Sequence, residues 1–163
     1  MKPAPPAPVA FVSRGPDETR ACGARLASGL VGGEVVALEG PLGAGKTQFV
    51  KGLAAGLGVA PEEPVVSPTF VLVREYEGRL KLYHIDAYRL ASTDELLAIG
   101  FDELRSDARG VVAIEWADRV PEAIPPEAII VRLEHAGESE RVVRLTCADV
   151  RRVETIRAAL AAR

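Results

Sequence analysis

The stretch "GPLGAGKT" (40–47) constrains the fold of this chain more than any other. It lies between the apolar run "EVVAL" (34–38) and the helical-looking "KTQFVKGLAAGLG" (46–58). It fits the spacing G-x-x-x-x-G-K-[ST] through Gly40, Gly45, Lys46 and Thr47. Small residues between a strand and a helix let backbone N–H groups turn inward around a phosphate, helped by the positive end of the helix. In this pattern the backbone of Leu42, Gly43, Ala44 and Gly45 forms the cradle. Lys46 reaches the β- and γ-phosphates, and the Thr47 hydroxyl ligates Mg²⁺. A plain glycine turn is a weak competitor, because residue frequencies produce such a match in on the order of a few in a thousand chains of this length. Guanine-specific loops usually come with an Asn-Lys-x-Asp motif, and the chain contains no asparagine. ATP is therefore favoured over GTP.

A Mg²⁺–phosphate site needs an acidic partner at the end of a nearby buried strand. Two residues qualify. "LYHID" (82–86) delivers Asp86, and the more continuously apolar "VVAIE" (111–115) delivers Glu115. Glu115 is the better metal residue, acting through water, and Asp86 orients either a second-shell water or the attacking one. His84 shares the Asp86 face of its strand and is either a base or a hydrogen-bonded structural histidine. Trp116, the only tryptophan, is either a packing residue or part of a partner surface. In "SPTF" (67–70), Pro68 holds Ser67 extended, which suits a shaped loop presenting Thr69 to a ligand. His135 has no constellation around it and receives no role.

The remaining elements predict an α/β domain with a mixed sheet. "VAFV" (9–12) reads as a strand and "GPDETRACGARLASGL" (15–30) as a helix, with Cys22, Leu26 and Leu30 four apart. "VLVREYEGRLKLYHIDAYR" (71–89) reads as two strands about a Glu77–Gly78 turn. "STDELLAIG" (92–100) carries a capping box from Ser92 to Glu95 and ends at Gly100. "AIIVRLEH" (128–135) and "ERVVRLTC" (140–147) form a hairpin, and "ADVRRVETIRAAL" (148–160) a final helix. The expected organisation is a flexible proline-rich leader over 1–8 and one domain over 9–163.

The formal net charge of -3 gives no general pull toward nucleic acid or anionic membrane. Cys22 and Cys147 lack metal-ligand spacing and read as reduced core thiols. No apolar run approaches the roughly 20 residues of a membrane span, and the opening "MKPAPPAPVAFV" lacks the apolar centre of a signal peptide. The expectation is a cytoplasmic protein with no membrane contact.

Together these residues resemble the TsaE (YjeE) family, small bacterial ATPases of threonylcarbamoyladenosine synthesis on tRNA. The resemblance covers nearly all of the chain after the leader. It rests on "GPLGAGKT" (40–47), "SPTF" (67–70), "YHIDAYRL" (83–90), "ELLAIG" (95–100) and "EW" (115–116), in that order. The phosphate loop alone would be unspecific, but the ordered set is very specific. It implies a P-loop NTPase-like three-layer α/β fold, and an Mg²⁺-dependent ATPase that is weak alone. It also implies action with TsaD and TsaB at adenosine 37 of tRNAs reading A-starting codons, with TsaC supplying the activated donor and tRNA met only through the complex. Carried over by residue, Thr47 and Glu115 are metal ligands, Thr69 belongs to a switch loop, and Asp86 and Trp116 are needed for activity. Glu18, within "PDET" (16–19), and Arg141 fall in segments near the nucleotide.

Two positions depart from the family pattern. Pro41 stands where an Asp is usual, before the cradling amides, so binding is expected to survive. Ala87 stands for a common Leu, a packing change. The alternative reading is a small-molecule kinase of the P-loop class, but Arg105 and Arg109 are sparse for a phosphate lid. A nucleotide-sensing adaptor that never cleaves ATP would not need Thr47, Asp86 and Glu115 together.

Overall fold

Seven strands form one mixed sheet in the computed structural model, which describes residues 4–68 and 72–162. Thr69, Phe70 and Val71, and the first three residues of the expected leader, lie outside the described residues. The chain runs β1 (Val9–Ser13), α1 (Pro16–Ser28), β2 (Val35–Glu39), α2 (Lys46–Gly56), β3 (Val73–Tyr76) and β4 (Lys81–Asp86). It continues through α3 (Thr93–Ala98), α4 (Phe101–Arg105), β5 (Gly110–Glu115), β6 (Ile129–His135), β7 (Arg141–Thr146) and α5 (Val150–Ala161). The strand order is β1-β7-β6-β2-β5-β4-β3. The inner strands β6, β2, β5 and β4 run parallel, while β7, β1 and β3 join antiparallel at the two sides.

Burial explains this division. β5 is buried along its whole length and β2 along all but its last residue, as expected of parallel strands covered on both faces. Along β2, Val36 and Leu38 pack into one apolar cluster with Leu26, Phe49 and Leu53 of α1 and α2, and Val35 and Ala37 pack into a second with Leu96 and Phe101 of α3 and α4. β5 splits the same way, Val111 and Ala113 against Val112 and Ile114. Helices therefore cover both faces, giving the expected three layers.

Two glycines let α1 and α2 lie close together. A Cβ on Gly52 would sit 1.8 Å from the Arg20 carbonyl oxygen, and one on Gly23 2.2 Å from the Phe49 carbonyl oxygen. Cys22 is fully buried in this packing. Burial, only partly offset by Arg25, pushes its thiol up to about 12, so it remains a neutral core side chain. Cys147 is also buried and free.

The expected helices and strands are present among the described residues, with one further α-helix and two 3-10 turns, Ala117–Arg119 and Pro121–Ala123, added. The Ser92 side chain accepts a hydrogen bond from the Glu95 amide and starts α3, and Gly100, at φ +90, ends it. The sequence predicts no helix directly after Gly100, yet Gly100 also opens α4, whose Phe101 is fully buried. Among the described residues, no helix is long and apolar enough to cross a membrane.

Candidate functional site

The loop between β2 and α2 is shaped by a few backbone requirements. Gly40 adopts φ +148, and a Cβ there would sit 2.4 Å from the Leu133 carbonyl oxygen, so only glycine fits. The Ala44 amide donates to the Pro41 carbonyl at 3.1 Å, closing a turn with Gly43 in third position at φ +76. α2 then starts at Lys46, and its first-turn amides have no intrahelical acceptor, which leaves them for an anion. Pro41 does not disturb this arrangement, because it contributes its carbonyl and its missing N–H lies upstream of α2.

The strand pleat decides which carboxylates meet the loop. Side chains alternate along a strand, so Glu115 shares the α2-facing side with Val111 and Ala113, and His84 and Asp86 share it with Leu82. β4 and β5 pair in parallel with Asp86 opposite Glu115. Both carboxylates consequently stand side by side at the end of the sheet where α2 begins.

The side chains then interlock. Thr47 Oγ1 donates to Glu115 Oε1 at 2.8 Å, and Glu115 Oε2 pairs with His84 Nε2 at 2.5 Å. Asp86 accepts from Ser67 Oγ at 2.7 Å through one oxygen and from the Tyr88 amide at 2.9 Å through the other. Lys46 Nζ donates to the Gly40 and Pro41 carbonyls at 2.6 and 2.9 Å and lies 3.7 Å from the centre of the Trp116 ring. Burial lowers its ammonium pKa below the usual lysine value, opposed by the charges of Glu115, Asp118 and Asp86.

Trp116 holds a left-handed conformation at φ +58, which is uncommon for a bulky residue and carries a strain of about 1–3 kcal/mol. That conformation follows directly on Glu115, and the ring packs against Lys46 and against Tyr88, 4.9 Å away between centroids. Packing and site contact are combined in this one side chain. Arg119 covers the same aromatic pair.

A cleft of about 510 Å³ opens over these groups, within the size range of small-molecule sites. Leu42, Gly43, Gly45, Lys46, Thr47, Asp86 and Glu115 all line it, so most of the residues singled out in the sequence converge. Ala44 and Arg141 line a smaller recess beside it, next to Pro16 and Thr19 at the start of α1. Arg141 Nη2 donates to the Gly43 carbonyl at 3.1 Å. Glu18 turns elsewhere, accepting from the Arg14 amide at 2.9 Å. Thr69 lies outside the described residues.

Three contacts were not anticipated. Ser67 binds Asp86, His135 Nε2 comes within 3.3 Å of the Leu42 carbonyl oxygen, and His84 meets Glu115 across two strands. Only Ser67 carried a local signal, its place before Pro68. The other two depend on strand pairing that no short sequence window encodes.

A divalent cation suits this donor set. The paired Thr47 hydroxyl and Glu115 carboxylate are hard oxygen donors beside a phosphate-type loop, and Mg²⁺ is commonly held by one or two carboxylates plus substrate phosphates and water.

A mixed α/β sheet with a glycine loop leading from a central strand into a helix N-terminus defines a P-loop NTPase-like protein. The fold is similar to the crystal structure of Bacillus subtilis YdiB, with a TM-score of 0.78 and 34% identity, covering 95% of each chain. The family model described as "Threonylcarbamoyl adenosine biosynthesis protein TsaE" matches residues 13–143. The chain is 43% identical to the tRNA threonylcarbamoyladenosine biosynthesis protein TsaE of Treponema pallidum over 81% of this chain and 96% of that one. It is 42% identical to the TsaE of Bacillus subtilis over 80% of each. The chain belongs to the TsaE family, whose role lies in tRNA threonylcarbamoyladenosine biosynthesis.

Proposed function

We propose that the protein binds ATP with Mg²⁺ and hydrolyses it, and that this turnover serves threonylcarbamoyladenosine formation at position 37 of tRNAs reading A-starting codons. The observation that carries the reading is the convergence of Lys46, Thr47, Asp86 and Glu115 on one cleft beneath the glycine loop. The loop amides and Lys46 bind the triphosphate, and Lys46 leaves the Gly40 and Pro41 carbonyls to do so. Thr47 and Glu115 would hold the metal, which would supply charge neutralisation for the bound phosphates. Asp86 orients water, since each of its oxygens accepts one hydrogen bond and keeps a second lone pair. The recess lined by Arg141 and the start of α1 receives the nucleoside end.

Without an arginine finger, P-loop hydrolysis runs as slowly as ~10⁻⁴ s⁻¹. Arg119 is stacked on Tyr88 and Trp116. The family resemblance implies that the chain acts with TsaD and TsaB, which would raise such a slow turnover, while TsaC provides the activated threonylcarbamoyl group. tRNA is engaged through that complex.

Replacing the gene with a Lys46→Ala allele tests the reading. Mass spectrometry of tRNA nucleosides should show threonylcarbamoyladenosine lost or strongly reduced. An unchanged level would contradict the proposal.

A further inference from the structure

His84 is completely buried, although nothing in the proposed chemistry uses it as a base. Its Nε2 stands 2.5 Å from Glu115 Oε2, while its Nδ1 is buried without a hydrogen-bond partner. That asymmetry decides between the two neutral tautomers. A neutral ring carries a single N–H. On Nδ1, the proton would be a buried donor with no acceptor, and the Nε2 lone pair would face a carboxylate. The N–H therefore sits on Nε2 and is donated to Glu115.

The two Glu115 oxygens are thereby assigned different tasks. Oε2 is tied to His84 in the sheet interior, and Oε1 is left toward Thr47 and the cleft. A glutamate terminus otherwise rotates through a broad, roughly two-fold torsional well. We propose that His84 is a positioning residue that locks the Glu115 carboxylate in the orientation in which Oε1, with Thr47 Oγ1, receives a divalent cation. This rests on the Mg²⁺–ATP reading and assigns a task to a residue outside the cleft lining. The strand register supplies the means: His84 lies opposite Ala113, whose small side chain leaves room for the ring to reach the residue two further along β5.

Hydrogen bonds behind a metal-bound group typically change metal affinity 10- to 100-fold when removed. The test uses Mn²⁺ as the probe, titrated by electron paramagnetic resonance into the full chain loaded with a non-hydrolysable ATP analogue. His84→Leu should weaken Mn²⁺ binding by about tenfold or more, with affinity for the metal-free analogue within about twofold of wild type. His84→Gln, whose amide nitrogen can occupy the Nε2 position, should restore most of the loss. Wild-type Mn²⁺ affinity in His84→Leu would overturn the proposal, as would a His84→Gln protein that folds yet is no better than His84→Leu.

If His84→Leu fails to fold, nitrogen NMR of wild-type protein labelled at histidine decides the matter. The His84 signals should report the Nε2–H tautomer and move when Mg²⁺ is added to the analogue-loaded protein. Unmoved signals at metal saturation would overturn the proposal. A wild-type chain that binds neither analogue nor Mn²⁺ overturns the ATP reading itself, and with it the role given to His84.

Discussion

Glu115→Gln should slow single-turnover hydrolysis of ATP by about 100-fold while leaving metal-free nucleotide binding nearly unchanged. The substitution keeps the shape of the side chain and removes the negative charge; its single oxygen can accept from Thr47 or from His84, not from both. Glu115 is 3% exposed, so water does little to replace that charge. Metal-centred stabilisation of a phosphoryl transition state is worth several kcal/mol. Weakening it by about 3 kcal/mol corresponds to about 100-fold in rate. Phosphate formation measured with protein in excess over ATP, at saturating Mg²⁺, checks this, and a rate within about twofold of wild type would contradict the assignment of Glu115. The kinase alternative predicts the same loss, so it is separated by the acceptor: phosphate should pass to water and not to an added metabolite.

Gly52→Ala should lower the stability of the protein, against the trend for a helix interior. On an open helix the exchange is favourable by about 1 kcal/mol. Here the new Cβ would sit 1.8 Å from the Arg20 carbonyl oxygen. That neighbour is backbone, so relief requires α1 and α2 to move apart, opening space beside Leu26, Phe49 and Leu53. Overpacking of this kind carries a penalty of about 1–3 kcal/mol and occasionally more, and the clash lies at the severe end. A net loss of about 2–3 kcal/mol, with each kcal/mol worth about 2–4 °C at this size, lowers Tm by roughly 4–12 °C. Thermal unfolding followed by circular dichroism reads the change, and an equal or higher Tm would contradict the close packing.

These two positions show how unevenly the sequence discloses the structure. The glycines of "KTQFVKGLAAGLG" predict the end of a helix. That holds at Gly58, which follows α2 at φ +84. Gly52 lies inside α2 for a different reason, the approach of α1, which no residue near it reveals. The loop, the helix after it, the buried strand before Glu115 and the Ser92 cap were legible because their determinants are local. Glycine placement, apolar runs and a capping pair all act within a few residues.

What could not be read depends on register and sheet order. The hairpin of β6 and β7 was expected, but its insertion beside β2 was not, and that insertion brings His135 and Arg141 to the rim of the phosphate loop. Asp86 and Glu115 were each identified as strand-end acids. Their adjacency, and the bond from His84 to Glu115, come from the pairing of β4 with β5. The left-handed backbone of Trp116 has no local signal either, since a bulky side chain argues against it. It places the ring against Tyr88 and Lys46 at the cleft mouth.

The central claim is that the hollow between β2 and α2 takes up ATP with Mg²⁺. Titration calorimetry with a non-hydrolysable ATP analogue and Mg²⁺ tests it most directly. Wild-type protein should give saturable heat at one site per chain. Lys46→Ala should bind about 10- to 150-fold more weakly, the range for losing a hydrogen bond to a charged group. No heat from the wild-type chain, or equal affinity in the two proteins, would contradict the account.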